Sequence, residues 1–183
     1  MSRKTKTRKQ RVEKKAQKAK EFEDTKAPVE KDKSEERSFA VFAVGKEKFA
    51  INLDSVTEIL HTFKIVSVPH LPKMFSGVVK LRGESVPLVD LQTLLKEEKI
   101  ETEIRPCLIT KVGTKTMGFL VDSDVAIITT GQGKLYPLPD SFTREEGEFL
   151  KGIFWTDKSF VGILKPKEMV EVLAQWRQEN EKI

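Results

Sequence analysis

Short apolar runs separated by polar turns fill the chain from Phe39 onward, a pattern typical of β-hairpins. Phe39–Val44 is followed by the polar residues 46–48 and then by a second run at Phe49–Ile51. Further runs predict strands at 64–68, 77–81, 86–91, 107–112, 117–121, 125–128, 152–155 and 160–164. After Pro166 the apolar spacing becomes helical, and proline suits the first turn of a helix. The sequence predicts a mainly β protein with short helices and a C-terminal helix.

One short helix is predicted between the first two strand pairs. Asn52 or Asp54 can cap it, because each side chain offers an oxygen to an unpaired backbone N–H. One face of that helix would carry four apolar residues, Leu53, Val56, Ile59 and Leu60. The pattern predicts a helix over about residues 53–60.

The two halves of the body resemble each other. Val44-Gly45 recurs as Val112-Gly113, an offset of 68 residues, and Gly77-Val78 recurs as Gly152-Ile153, an offset of 75. The alternative is chance similarity between short hairpins. Each half supplies about five short strands, and closure into a small barrel removes their open edges. We therefore expect one domain over residues 38–183 that consists of two five-stranded β-barrels packed together, with intertwined halves at roughly residues 38–100 and 101–183.

Positive charge is confined to the N-terminus. Residues 1–20 hold ten Lys or Arg and one acid, Glu13, whereas the chain from Ser38 onward has 19 basic and 20 acidic residues. A like-charged run buries little apolar surface, so residues 1–37 are expected to form a largely disordered basic tail. Two interpretations stay open, a solubilising leader and an electrostatic arm for nucleic acid or anionic lipid.

Residues suited to catalysis or metal binding are sparse. The single cysteine, Cys107, starts an apolar run and is expected to be an inert packed thiol. His61 and His70 lack further ligands at metal-binding spacing, and no nucleophile or phosphate-binding motif occurs. Asp90 and Asp122 each end a strand run and are expected to cap or turn the chain. Nothing in the sequence calls for an enzyme, although scattered acidic residues leave a paired-carboxylate hydrolase open, and we expect no metal and no cofactor.

Four stretches carry a family resemblance. Gly77–Gly83 followed by Val86–Leu91 is similar to the "GxxNLRGxxxPxxDL" signature of the CheW-like family of chemotaxis adaptors. Phe39–Gly45 resembles the opening of that domain, and Gly118–Asp122 and Leu150–Ile153 resemble its later "GxxVD" and "LxGI" segments. The motifs occur in the family's order and cover roughly residues 39–176.

The resemblance implies two packed barrels, no catalysis, and an adaptor that couples methyl-accepting chemoreceptors to a CheA-type histidine kinase. It implies receptor-binding positions at Val56, Glu58 and Arg82, and kinase-binding positions at Gly77 and Gly83. It also implies a cytoplasmic protein recruited to membrane receptor arrays. Absence of an apolar run long enough to span a bilayer agrees with that expectation.

This chain departs from the family pattern in places. Lys80 replaces the usual Asn, Leu164-Lys165-Pro166 replaces an acidic stretch, and the basic tail is not typical. The tail keeps an alternative open, a small β-barrel protein that binds nucleic acid through its basic arm. The near-neutral body lacks the basic, aromatic groove of a specific single-strand binder. Removal of residues 1–37 separates the two, because only the nucleic-acid binder depends on the arm.

Overall fold

The computed structural model describes residues 37–102, 105–130, 135–138, 147–156 and 159–180. The predicted disordered tail lies outside the described residues, apart from Arg37, at which the first strand begins. No helix in these described ranges is long and apolar enough to cross a membrane.

The described chain is mainly β, as the apolar pattern predicted. The strands are β1 (Arg37–Val44), β2 (Glu47–Asn52), β3 (Val56–Leu60), β4 (Ile65–Val66), β5 (Phe75–Leu81), β6 (Glu84–Asp90), β7 (Cys107–Val112), β8 (Lys115–Leu120), β9 (Ala126–Thr130), β10 (Leu135–Tyr136), β11 (Leu150–Trp155) and β12 (Phe160–Leu164). A 3-10 turn covers Leu53–Ser55, and the helices discussed below are α1 (Leu91–Leu94) and α2 (Pro166–Asn180).

These strands form two six-stranded sheets. Sheet A has the order β10-β11-β12-β2-β1-β9, and sheet B has the order β4-β5-β6-β8-β7-β3. Sheet A therefore joins the first hairpin of the chain to the last four strands, while the continuous segment from β3 to β8 builds sheet B. The two halves of the sequence are thus intertwined. Each sheet has one strand more than the five expected, and the additions are β3 and β10.

The predicted helix over residues 53–60 is wrong beyond its first turn. Asn52 does accept a hydrogen bond from the backbone N–H of Asp54, but the chain then enters strand β3, which pairs with β7. A bulge between Val56 and Glu58 interrupts the two-residue alternation of side chains, so the apolar spacing mimics that of a helix.

Internal symmetry appears in the strand order. Exchanging each of β1–β6 with the strand six places later converts the order of sheet B into that of sheet A. The correspondence extends to a close contact in each sheet. A Cβ at Gly77 would lie 2.4 Å from the carbonyl oxygen of Val66, and one at Gly152 would lie 2.5 Å from that of Tyr136. Equivalent glycines therefore admit equivalent edge strands, which supports the repeat found in the sequence.

A central apolar cluster lies between the sheets, and each sheet encloses a smaller one of its own. Strand β1 contributes to two of these clusters. Phe39 and Val41 face the cluster of sheet A, while Ala40 and Phe42 face the central cluster. Burial on both faces explains the unbroken apolar run there. Helix α2 buries three apolar residues in the central cluster, Met169, Val170 and Leu173. The geometry is compatible with two packed barrels; closure of each sheet by hydrogen bonds stays a prediction.

Candidate functional site

The tip between β5 and β6 is a two-residue turn made by Arg82 and Gly83. Leu81 pairs with Glu84 across the hairpin, and the two tip residues have φ angles of 49° and 87°. Positive φ at both central positions is the geometry of a tight hairpin turn, which glycine adopts without steric cost. A Cβ at Gly83 would meet no atom within 4 Å, so the tip is open to solvent.

Arg82 and Glu58 form an ion pair at this tip. The Nη2 atom of Arg82 donates to Oε2 of Glu58 at 3.2 Å, with 83% and 32% of the two side chains exposed. Glu58 lies on β3, the opposite edge strand of sheet B, so the contact spans the curl of the sheet. The structure thereby brings together two of the three predicted receptor-binding residues. An exposed pair of this kind contributes about 0–1 kcal/mol and leaves both groups accessible.

Val56, the third predicted receptor-binding residue, is held differently. It opposes Thr110 in the pairing of β3 with β7 and packs at the border of the central cluster. It is partly exposed, and the bulge separates it from Glu58 on the same strand. Val56 thus anchors β3, while Glu58 faces the hairpin tip.

The two glycines predicted for kinase binding lie apart. Gly77 is near the start of β5 and Gly83 is at the hairpin tip, about 20 Å away at the usual rise of an extended strand. Gly77 has a φ angle of 132°, is buried, and allows the close approach of Val66. Strand β4 therefore covers Gly77 and forms the outer edge of the sheet on this side of the hairpin.

The exposed edge formed by strand β4 is a feature of the site that the sequence did not predict. It ends sheet B, and Ile65, Val66 and Val68 in and beside it expose 40%, 43% and 38% of their surface. The apolar run from Lys64 to Val68 was predicted as a strand, but its position at the sheet edge depends on the topology. Exposed aliphatic side chains at an unpaired edge are typical of a docking surface.

A partly buried polar network joins the two sheets. Arg105 donates from Nη2 and Nη1 to the two oxygens of Asp90 at 3.0 and 3.2 Å, and from Nε to Asp122 at 3.1 Å. The other carboxylate oxygen of Asp122 accepts from the backbone N–H of Gly45 at 2.8 Å. Asp90 also accepts from two backbone N–H groups at the start of α1, as expected of a capping residue.

The network shifts the titration of Asp90. Burial by itself raises the pKa of this carboxyl, but the hydrogen bonds and charge of Arg105, with the two backbone donors, outweigh burial and lower the pKa below 3.8. Cys107 behaves in the opposite way, since burial raises the pKa of its thiol to about 12. That agrees with a packed, inert thiol. Within the described ranges, no group of three or more acidic, His or Cys side chains is arranged for metal binding.

A family model described as the CheW-like domain matches residues 38–174. The chain belongs to the CheW-like family. It is 30% identical over 131 residues to a probable chemotaxis protein CheW of Rhizobium etli, covering 71% of this chain and 84% of that protein. It is 28% identical over 144 residues to the chemotaxis protein CheW of Helicobacter pylori, covering 78% and 86% of the two chains.

Solved structures agree with the fold. The crystal structure of the scaffolding protein TtCheW from Thermoanaerobacter tengcongensis superposes with a TM-score of 0.65 at 24% identity, covering 72% of this chain and 90% of that one. The CheW-like domain thus accounts for both sheets and the first part of α2, while the basic tail lies before the matched residues.

Proposed function

We propose that this CheW-like protein is a non-enzymatic adaptor that couples chemoreceptors to a CheA-type histidine kinase in a chemotaxis or motility pathway. The observation that carries the proposal is the open hairpin tip, where Arg82, at the position of the signature arginine, pairs with Glu58. A guanidinium there can exchange one exposed carboxylate for another on a partner at little cost to folding.

The receptor is proposed to contact the side of sheet B that carries Val56, Glu58 and Arg82. Support comes from their arrangement, since Val56 offers apolar surface at the border of the core while the ion pair offers charge. A receptor segment with apolar anchors and a carboxylate or backbone oxygens for Arg82 fits that combination.

The kinase is proposed to dock through its regulatory domain near Gly77 and Gly83. Both glycines belong to the β5–β6 hairpin, which presents β4 on one side and the tip at its end. The adaptor is proposed to act in the cytoplasm at membrane receptor arrays, with the basic tail adding weak electrostatic contact to an anionic surface.

Co-sedimentation tests this function. The full-length protein is mixed with receptor-containing membranes and the CheA-type kinase of the same organism, and all three are expected in one pellet. A matched protein that lacks residues 1–36 should still pellet with both partners, because the tail adds only weak contact. Failure to pellet with any receptor or kinase of that organism would contradict the adaptor function. Loss of pelleting on removal of the tail would show that the wild-type protein pellets through electrostatic binding of the tail to the membrane, which would also contradict it.

A further inference from the structure

One stretch of sheet B contains no acidic residue. From Ile59 to Gly83 the sequence has neither Asp nor Glu, while it holds four Lys or Arg and both histidines of the chain. These six residues are all exposed: His61, Lys64, His70, Lys73, Lys80 and Arg82. We call the exposed part of residues 59–83 the acid-free surface. Its net positive charge contrasts with the rest of the chain from Ser38 onward, which holds 15 Lys or Arg and 20 Asp or Glu.

The apolar edge of β4 lies within the acid-free surface. Among the residues that the structure describes, no strand pairs with the outer side of β4. Val66 and Ile65 are each about two-fifths exposed there. Neither Lys64 nor Lys73 has an acidic partner in the described part of the chain. The surface thus combines unpaired backbone groups, aliphatic side chains and uncompensated positive charge.

The second half of the chain differs at the equivalent place. Tyr136, the counterpart of Val66 in the close contact with glycine, is only 7% exposed, against 43% for Val66. The matching stretch, residues 129–158, contains five Asp or Glu where the first half has none. Exposure and basic charge are therefore properties of this half of the chain, not consequences of the shared fold.

The combined features select one kind of occupant. A lipid surface would attract the lysines, but lipid cannot satisfy the backbone N–H and C=O groups of an open strand edge. A strand of another protein supplies both hydrogen bonds and apolar side chains. Lysines with no acidic partner are best matched by carboxylates on that strand, which also accelerate association.

We infer that the acid-free surface docks a protein partner whose contacting segment is an apolar strand flanked by carboxylates. The inference rests on the proposed function, because the regulatory domain of the CheA-type kinase is the partner on which it is tested. It adds the chemistry of the contact, with β4 as the paired edge and with Lys64 and Lys73 as the charge-complementary groups.

Binding of the purified kinase regulatory domain to the full-length protein, followed by calorimetry, tests the inference. Val66→Asp should weaken binding at least about tenfold, since a buried charge replaces an apolar anchor. The matched control is Val172→Asp on α2, because Val172 is 42% exposed but lies far along the sequence from β4. Lys64→Glu with Lys73→Glu should weaken binding and reduce its salt dependence, whereas Lys111→Glu with Lys115→Glu on another hairpin should not.

The outcomes separate the inference from the function on which it rests. If Val66→Asp and the Lys64→Glu, Lys73→Glu double variant both bind the kinase domain as tightly as the wild-type protein does, the inference is overturned and the adaptor function stands. No binding of the kinase domain at all would contradict the kinase part of the proposed function as well. Two other results would also overturn the inference. If the protein self-associates and Val66→Asp abolishes the association, the occupant is a second copy of the chain. If the protein sediments with phosphatidylglycerol vesicles and Val66→Asp abolishes this, the occupant is a lipid surface. Circular dichroism of each variant confirms folding.

Discussion

The carboxylate of Asp122 accepts a hydrogen bond from the backbone N–H of Gly45 at 2.8 Å, across 77 residues of sequence. Gly45 is in the turn of the first hairpin, in sheet A, whereas Asp122 lies two residues beyond the end of β8, a strand of sheet B. Because Arg105 holds the other oxygen of Asp122, one guanidinium controls a link between the two sheets. The relative position of the sheets therefore depends on a polar contact as well as on the central apolar cluster.

Arg105→Ala is expected to destabilise the protein by about 2–3 kcal/mol, because it leaves Asp122, a buried carboxylate, without its charged partner. Urea unfolding of the variant and of Lys111→Ala, which removes an exposed cation, provides the comparison. A loss no larger than that of Lys111→Ala would show that the network does not hold the sheets together.

Acid should remove the stability that Asp90 contributes. Since the folded protein lowers the pKa of Asp90 below 3.8, the contribution is complete above that pH and is lost as the pH falls through the folded pKa. Asp90→Asn should lower stability at neutral pH and make the decline below about pH 4 shallower. Urea midpoints measured from about pH 7 to about pH 3 test this, and parallel curves for the two proteins would contradict it.

Gly77→Ala and Gly83→Ala should differ although both glycines have positive φ angles. The methyl group at position 77 would collide with the carbonyl oxygen of Val66, so the variant should lose about 2 kcal/mol or more and expose β4 to hydrogen exchange. At position 83 the methyl group meets open space, and the cost should be about 1 kcal/mol from backbone strain alone. Equal costs for the two variants would argue against the close contact at β4.

The ion pair between Arg82 and Glu58 should contribute little to folding. A double-mutant cycle with Arg82→Ala and Glu58→Ala should give a coupling energy below about 1 kcal/mol in urea unfolding, since the pair is largely exposed. A coupling above about 2 kcal/mol would assign the pair a structural role instead of a binding one.

How far the sequence predicts this structure depends on the range of the interactions. Strands such as β1 and β2 follow from local apolar alternation, and the C-terminal helix follows from Pro166 and the spacing after it. Strand β3 was missed because its bulge disrupts the alternation, and the assignment of each hairpin to one of the two sheets was missed because a hairpin does not specify which sheet it joins. Long-range pairing decides both.

The candidate site shows the same division. The signature residues Arg82 and Gly83 are a local turn, and the sequence indicated them by resemblance and by turn chemistry. The contact with Glu58, 24 residues away, requires the curl of sheet B. Arg105 carries no local signal at all, because its two carboxylate partners come from different strand ends.

The protein is proposed to couple receptors to the kinase through the hairpin tip. The most direct measurement is receptor-stimulated autophosphorylation of the CheA-type kinase in the presence of wild-type protein, Arg82→Glu or the control Lys111→Glu. If the tip is the coupling site, the wild-type protein and Lys111→Glu should stimulate the kinase strongly, whereas Arg82→Glu should fold normally and not stimulate it. Stimulation that is unchanged by Arg82→Glu, or absent with the wild-type protein, would contradict it.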